Sequence, residues 1–329
     1  MVVKDLMKTI IICSFISSNS SFTECVRKHL ISSPSHMNPD CDTECHNENF
    51  GSMQASLDAS FTYTFDYCSW EDCIAEPGGA ISSNTEGVSL TVIHCTFTRC
   101  NSTSYENPRA TQSYNGGALC VNGIKELIVS TSRFFRCCAP QTNNDNGGSG
   151  GMYVVSITTL LVLSSSDFIS CFTGASGGGA YFASIKTSDV GPQTVMSCRF
   201  VRCKSEGNTP DGGGLCLWGS DYTLGLSNCL FSECSVTTNC GGGLDFTFSA
   251  NPDPHPIRCC FFNDNSAPDG NDVNLRSLPS NLEPFLFCFS TTSRSQRIGG
   301  VTNKDDDWLP LACPMCLVDS SNDIITISE

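Results

Sequence analysis

A glycine doublet followed by an apolar residue recurs six times along the chain, at Gly78-Gly79-Ala80, Gly116-Gly117-Ala118, Gly150-Gly151-Met152, Gly178-Gly179-Ala180, Gly213-Gly214-Leu215 and Gly242-Gly243-Leu244. Between these doublets runs a second motif, an aromatic residue with Cys three positions on and often another Cys two before. It reads Cys68-Trp70-Cys73, Cys95-Phe97-Cys100, Phe134-Cys137, Phe168-Cys171, Cys198-Phe200-Cys203 and Cys229-Phe231-Cys234, with a last copy, Cys260-Phe262-Asn265, that ends in Asn. A chain punctuated by glycine this regularly is a poor candidate for paired helices, because each interior glycine costs a helix about 1 kcal/mol. The runs between doublets are rich in Val, Ile, Leu, Thr and Phe, the composition of short strands. The aromatics are 27 to 37 residues apart. Fixed motifs at variable spacing describe structural rungs that carry surface insertions, here the Asn-, Ser-, Gly- and Pro-rich stretches 141–148 and 205–212.

The spacing of apolar residues within one repeat defines a polygon. Period-two pairs such as Leu90/Val92, Leu127/Val129, Leu161/Leu163 and Leu224/Leu226, with Val195 alone in its copy, mark one strand face. The step to the next inward position is three, from Val92 to Cys95 or from Leu226 to Cys229, and the step from Phe97 to Cys100 is three again. Residues three apart cannot share a face of a straight strand, so the chain turns a corner at each odd step. After the glycine doublet, the positions one and three on are small or apolar, as in Ala180/Phe182 and Leu244/Phe246, and are assigned to the interior. The position between them holds Ile81, Leu119, Tyr153, Tyr181, Cys216 and Asp245, and the Asp marks it as outward and solvated. Successive polygons then stack into an all-β solenoid of about seven rungs over residues 61–275. Residues 1–60 form an amino-terminal segment and cap, and residues 276–329, where the repeat is lost, a carboxyl-terminal cap.

Two motifs match known repeats literally: Gly78-Gly79-Ala80-Ile81, and Phe262-Asn263-Asp264-Asn265 as Phe-x-x-Asn. On these the chain resembles the polymorphic outer membrane protein family, whose repeats carry both, and related cysteine-rich β-helix proteins of unicellular eukaryotes. The resemblance spans roughly Phe61 to Val273, with Cys replacing the Asn in the other copies. It implies a right-handed parallel β-helix, pectate-lyase-like in architecture, and a surface or adhesive role.

Stacking predicts three structural columns. Trp70, Phe97, Phe134, Phe168, Phe200, Phe231 and Phe262 form an aromatic ladder. Cys73, Cys100, Cys137, Cys171, Cys203 and Cys234 form a thiol ladder. Gly79, Gly117, Gly151, Gly179, Gly214 and Gly243 stand where the backbone is closed to other residues or where coils approach closely. In-register Cys side chains lie nearly a strand spacing apart, whereas a disulfide wants Cβ atoms at about 3.8 Å. The ladder is therefore read as reduced, buried thiols, with bridges confined to corner pairs such as Cys137-Cys138 and Cys259-Cys260.

Composition narrows the function. The 23 cysteines are an odd number, so full pairing would leave one thiol over. With 33 acidic against 18 basic residues the net charge is −15, which argues against a nucleic-acid partner. No run reaches the ~18 apolar residues of a membrane helix. The segment Thr9 to Ile16 is a weak secretory signal, so secretion or surface display is an open expectation. Polysaccharide-cleaving β-helices need paired carboxylates or a Ca²⁺ site, but Asp66, Glu126, Asp167 and Asp245 fall in different rungs and read as solvated. His94 reads as a corner residue, and Asp305-Asp306-Asp307 lacks the Gly and Glu of a Ca²⁺ loop. A zinc site from Cys313-Pro314-Met315-Cys316 with Cys41, Cys45 and His46 would join opposite ends of a rod. Two N-x-[ST] sites, Asn19 and Asn101, occur, the second in a predicted loop. No catalytic, cofactor or metal residues are assigned. The expectation is a non-enzymatic binding or structural scaffold presenting a strand face and loops to a carbohydrate or protein. A polysaccharide lyase or hydrolase is the alternative, to be favoured by an acidic cluster with Arg or Lys on one outer face.

Overall fold

The computed structural model describes residues 43–46, 49–51, 55–57, 62–75, 78–102, 115–140, 148–183, 193–207, 210–220, 224–248, 257, 259–276, 287–289 and 298–299. Every element among them is a strand, and the strands form four parallel sheets of seven, nine, nine and six members, with a two-stranded addition. One coil passes through all four. In the coil that begins at Ser89, the chain runs through Ser89–Ile93 in the first sheet, Thr96–Thr98 in the second and Asn101–Ser102 in the short fourth. It then returns through Leu119–Asn122 in the third. The next coil starts at Glu126–Ser130, which pairs with Ser89–Ile93 below and Leu160–Ser164 above, Leu127 lying between Leu90 and Leu161. The molecule is thus a parallel β-helix. Strands Thr43–His46, Asn49–Gly51 and Ala55–Leu57 extend three sheets at one end, and Phe287–Phe289 and Ile298–Gly299 extend two at the other. No helix among the described residues is long and apolar enough to cross a membrane.

The corners sit at the odd steps. Among the described residues fifteen non-glycine residues have positive φ, and fourteen of them form two columns. Tyr67, His94, Thr131, Ser165, Ser197, Asn228 and Cys259 separate the first sheet from the second. Asp72, Arg99, Arg136, Ser170, Arg202, Glu233 and Asp264 separate the second from the fourth. A single left-handed residue shifts the alternation by one, so inward side chains fall three residues apart across it, as Val92 and Cys95 do across His94. The conformation is costly for a side chain with a Cβ. It is held by stacking, because the corner N–H donates to the next coil, as from His94 to the Ser130 carbonyl (3.1 Å) and from Arg99 to the Phe135 carbonyl (2.8 Å).

The core is a set of vertical columns. Trp70 through Phe262 stack ring on ring, with centroid distances of 4.8, 4.7, 4.6, 4.9, 5.0 and 4.8 Å in chain order and near-parallel planes. The thiols of Cys73, Cys100, Cys137, Cys171, Cys203 and Cys234 are buried and in no disulfide. Each of these cysteine carbonyls accepts a bond from the residue after the equivalent position in the next coil, as from Cys138 N–H to Cys100. Their sulfhydryls donate to backbone carbonyls, Cys203 to Phe168 at 3.3 Å and Cys234 to Phe200 at 3.3 Å. Asn265, in the place of the last Cys, accepts from Cys234 N–H and donates to the Phe231 carbonyl and to Asp272. Cys259 is disulfide-bonded, though not to Cys260, which like Cys137 and Cys138 is in no disulfide.

The glycine doublets do not stack as doublets. Gly79 and Gly117 lie under Gly150, Gly178, Gly213 and Gly242, whereas Gly151, Gly179, Gly214 and Gly243 continue a column begun by Ala80 and Ala118. The repeating unit is a triplet of small residues, Gly78-Gly79-Ala80 aligning with Ser149-Gly150-Gly151 and with Gly212-Gly213-Gly214. Anchoring on the doublet shifts the first two copies by one residue. Close approach is what demands glycine in the shared column. A Cβ on Gly117 would stand 1.9 Å from the Gly150 carbonyl oxygen and 2.6 Å from Cys138 N, backbone atoms that cannot yield. Gly117→Ala is accordingly expected to destabilise the protein by at least the ~1–3 kcal/mol of core overpacking, seen as a lowered urea midpoint.

Candidate functional site

The third sheet decides where polar chemistry can sit. Its register places Ser82, Cys120, Tyr153, Tyr181, Cys216, Asp245 and Asn274 in one column. Ile81 and Leu119, assigned to the outer column from the doublets, instead lie one position away, within the central core, and Ser82 and Cys120 take their place. The column does point away from the central core, but it is not solvated: Asp245 and Cys216 are fully buried and Tyr153 nearly so. Among the described residues, the stretches 174–177, 210–212 and 237–241, which lead into small-residue triplets, form a roof over this face. A Cβ on Gly177 would come within 2.9 Å of the Tyr181 Cβ, and one on Gly241 within 3.0 Å of the Asp245 Cα. Tyr153 and Tyr181 of this column stack at 5.1 Å.

At the carboxyl-terminal end the roofed column becomes a polar cluster. Asp211 and Cys240 come from two roof segments, Asp245 and Asn274 from adjacent strands, and Arg276 reaches in from the end of its strand. Arg276 Nη2 lies 2.5 Å from Asp211 Oδ1 and 2.8 Å from Cys240 Sγ, and its Nε 3.3 Å from Asp245 Oδ1. Asn239 donates to Asp211, and Asn274 to Asp245. The Arg276 guanidinium also lies 5.8 Å from the centroid of the exposed Trp218 ring. Burial, reinforced by the charge of Asp211, pushes the Asp245 carboxyl up to about 7 despite Arg276. Burial raises Asp211 as well.

This is the acidic cluster with a cation that a polysaccharide-cleaving enzyme would show, and Asp245 is not the solvated residue that its sequence position suggested. Ligand atoms of Asp211, Cys240 and Asp245 all lie within 4.8 Å of one another, and all three residues are buried. The three donors are close enough to share a cation, but the Arg276 guanidinium already provides the positive charge between them. The arrangement is a closed ion-pair network. Asp211 and Cys240 escaped notice because they sit in glycine-rich loops. The signal was present, since both fall immediately before a Gly-Gly-Gly triplet.

The second sheet carries the opposite character on its outer side. Six of the eight Lys and Arg residues among the described residues lie on this sheet, its corner column or the adjoining fourth sheet: Arg99, Arg133, Arg136, Arg199, Arg202 and Lys204. Arg99 is neutralised by Asp72 (2.6 Å) and Glu71 (2.6 Å), Arg199 is bidentate on Asp167 at 2.6 and 2.5 Å, and Lys204 pairs with Glu206. Arg133 and Arg136 make no ion pair among the described residues. Their guanidinium carbons lie 5.3 and 4.9 Å from the centroid of Phe135. Arg202, exposed in the corner column, likewise has no ion pair among the described residues.

The remaining candidates are structural. Burial raises the thiols of Cys137, Cys171 and Cys203 well above their ordinary value, so these three stay protonated at neutral pH. His94 turns a corner, its Nδ1–H donating to Asp66 Oδ1 at 2.9 Å and its ring stacking on Tyr67 at 4.3 Å. Asn101 begins a strand and is not in a loop. Cys313, Cys316, Asn19 and the Asp305 run lie outside the described residues, as do the side chains of Cys45 and His46. Comparison with protein-family models, curated proteins and solved structures finds no match to this chain.

Proposed function

We propose that this protein is a non-enzymatic scaffold that binds a carbohydrate or protein partner on the outer strand faces and loops of a rigid β-helix. The observation that supports this most directly is the placement of reactive groups. The acid pair of Asp211 and Asp245 is buried and bridged by Arg276, and the thiol ladder is sealed in the core. The exposed face of the second sheet, by contrast, is held by strands paired on both sides through seven consecutive coils. A binding surface on such paired elements is pre-organised and loses little entropy on association. The surface or adhesive role implied by the Gly-Gly-Ala-Ile and Phe-x-x-Asn repeats is consistent with this reading.

The test pairs retention with turnover. The purified protein is applied to a glycan array and, in parallel, incubated with acidic polysaccharides while reducing ends and unsaturated products are measured. Retention without product is the expected result, and product release would overturn the proposal. The enzyme alternative draws on Asp211, Asp245 and Arg276, and in that case Asp245→Asn would abolish the released product.

A further inference from the structure

The charge on the outer face of the second sheet has a definite extent. The corner column reads Asp72, Arg99, Arg136, Ser170, Arg202, Glu233, Asp264 from one end to the other. The three central coils, those of Phe134, Phe168 and Phe200, carry Arg133, Arg136, Arg199, Arg202 and Lys204 against Asp167 and Glu206. Beyond them the column continues on one side to Arg99, which is bound by Glu71 and Asp72, and on the other to Glu233 and Asp264. In a chain of net charge −15 this is a bounded cationic belt.

Within the belt, ion pairing removes Arg199 and Lys204 and leaves three guanidinium groups. Arg136 and Arg202 occupy equivalent corners two coils apart, about 9–10 Å along the rod. The small hydroxyl side chain of Ser170 lies between them, in a half-buried position that keeps the column open. Two arginine side chains at that separation can both reach one anionic group above Ser170. Arg133 stands on the far side of Phe135 from the corner column, in register with Asp167. Phe135 and Phe172, both half-buried, provide flat apolar surface on either side of the corner column.

We infer that Arg136, Ser170 and Arg202, with Arg133 and Phe135, form a binding site for the carboxylate or sulfate groups of an acidic polysaccharide. This rests on the binding reading above and specifies its ligand. Planar guanidinium groups take carboxylate and sulfate oxygens through paired hydrogen bonds, which ammonium groups do not. A peptide added as a strand is disfavoured, because every strand of the belt already pairs with the coil above and the coil below. A nucleic-acid backbone, with a phosphate at every nucleotide, would run onto Glu71 and Asp72 at one end or Glu233 and Asp264 at the other. A glycan with separated charges and apolar ring faces suits a short belt edged by phenylalanines.

The experiment measures binding of the full chain to polygalacturonate, dextran sulfate, neutral dextran and a duplex DNA. Wild type, Arg136→Ala/Arg202→Ala and Arg99→Ala are compared, with thermal melts to establish that the exposed substitutions leave the fold intact. Binding to one or both acidic glycans is expected, with polygalacturonate and dextran sulfate separating carboxylate from sulfate recognition. The double variant should lose at least about tenfold, as expected for two charge-assisted contacts, and its affinity should depend less steeply on salt. Arg99→Ala, whose guanidinium is already neutralised by Asp72 and Glu71, should match wild type. No binding to either acidic glycan, equal binding by the double variant, equal binding to neutral dextran, or tighter binding to DNA would each overturn the inference. If the glycan array still shows a ligand in those cases, the scaffold reading stands without this site. Product release would instead remove the scaffold reading itself.

Discussion

Truncating Phe168 to Ala should lower the stability of the protein by about 3–5 kcal/mol, the cost of deleting a large buried aromatic. Phe168 is the middle rung of the ladder, 4.6 Å from Phe134 and 4.9 Å from Phe200, and its ring is fully buried. Its space cannot be refilled from the side. The wall there is Gly151 and Gly179, whose missing Cβ atoms are what admit the ring: one built on Gly151 would stand 2.8 Å from Phe168 Cδ1. A solenoid is stabilised by interfaces between neighbouring coils, and this substitution weakens two of them at the centre. Urea denaturation should therefore show a lowered midpoint and a broadened transition as the two halves lose cooperativity. Phe135→Ala, one residue along on the outer face, provides the contrast. Its ring is half-buried, and it should cost about 1 kcal/mol or less. Equal effects of the two substitutions would refute the stacked core as the main source of stability.

Arg276→Ala should be nearly as damaging, by about 3 kcal/mol near pH 7, because it leaves Asp211 and Asp245 buried without their cation. The value falls at the low end of that range because the arginine side chain is itself partly solvated. The pH dependence identifies the cause. In the folded protein burial holds the Asp245 proton up to about pH 7, whereas the unfolded chain releases it at the ordinary carboxylate value near 4. Between those values the folded state binds more protons, so the contribution of this group is fully present below about pH 4 and is lost as the pH rises to 7. Thermal melts of the wild type should show this decline, and Asp245→Asn, which keeps an acceptor for Asn274, should flatten it. In Arg276→Ala the decline should steepen and continue above pH 7. A pH-independent loss in Arg276→Ala would mean that the side chain acts by packing against Trp218 and not by its charge.

Much of the architecture is a local property of the chain and was legible in it. Alternation at Leu127/Val129 and the three-residue steps around Phe134 are consequences of backbone geometry within one coil. They locate the strands and the corners occupied by Thr131 and Arg136 without reference to any other coil. Identical spacing in successive repeats then places Trp70 over Phe97 and Phe97 over Phe134. The register of the third sheet was not legible in the same way. Gly-Gly-Ala and Ser-Gly-Gly look like doublets offset by one, and only backbone contact between coils, such as Gly117 against Gly150, shows that the unit is a triplet.

The sequence alone thus determined that the chain folds into stacked coils with an aromatic spine, since strand alternation, corner steps and repeat spacing are encoded within short stretches. The tertiary structure decided which outer faces meet water. Loop segments cover the third sheet and leave the second open, and no local pattern records that cover. It also assembled Asp211, Asp245 and Arg276, which are up to 65 residues apart in the chain, and gathered the arginines of separate coils onto one face. Both outcomes depend on long-range register and on where insertions fold back, and those are fixed only by the free energy of the whole stack.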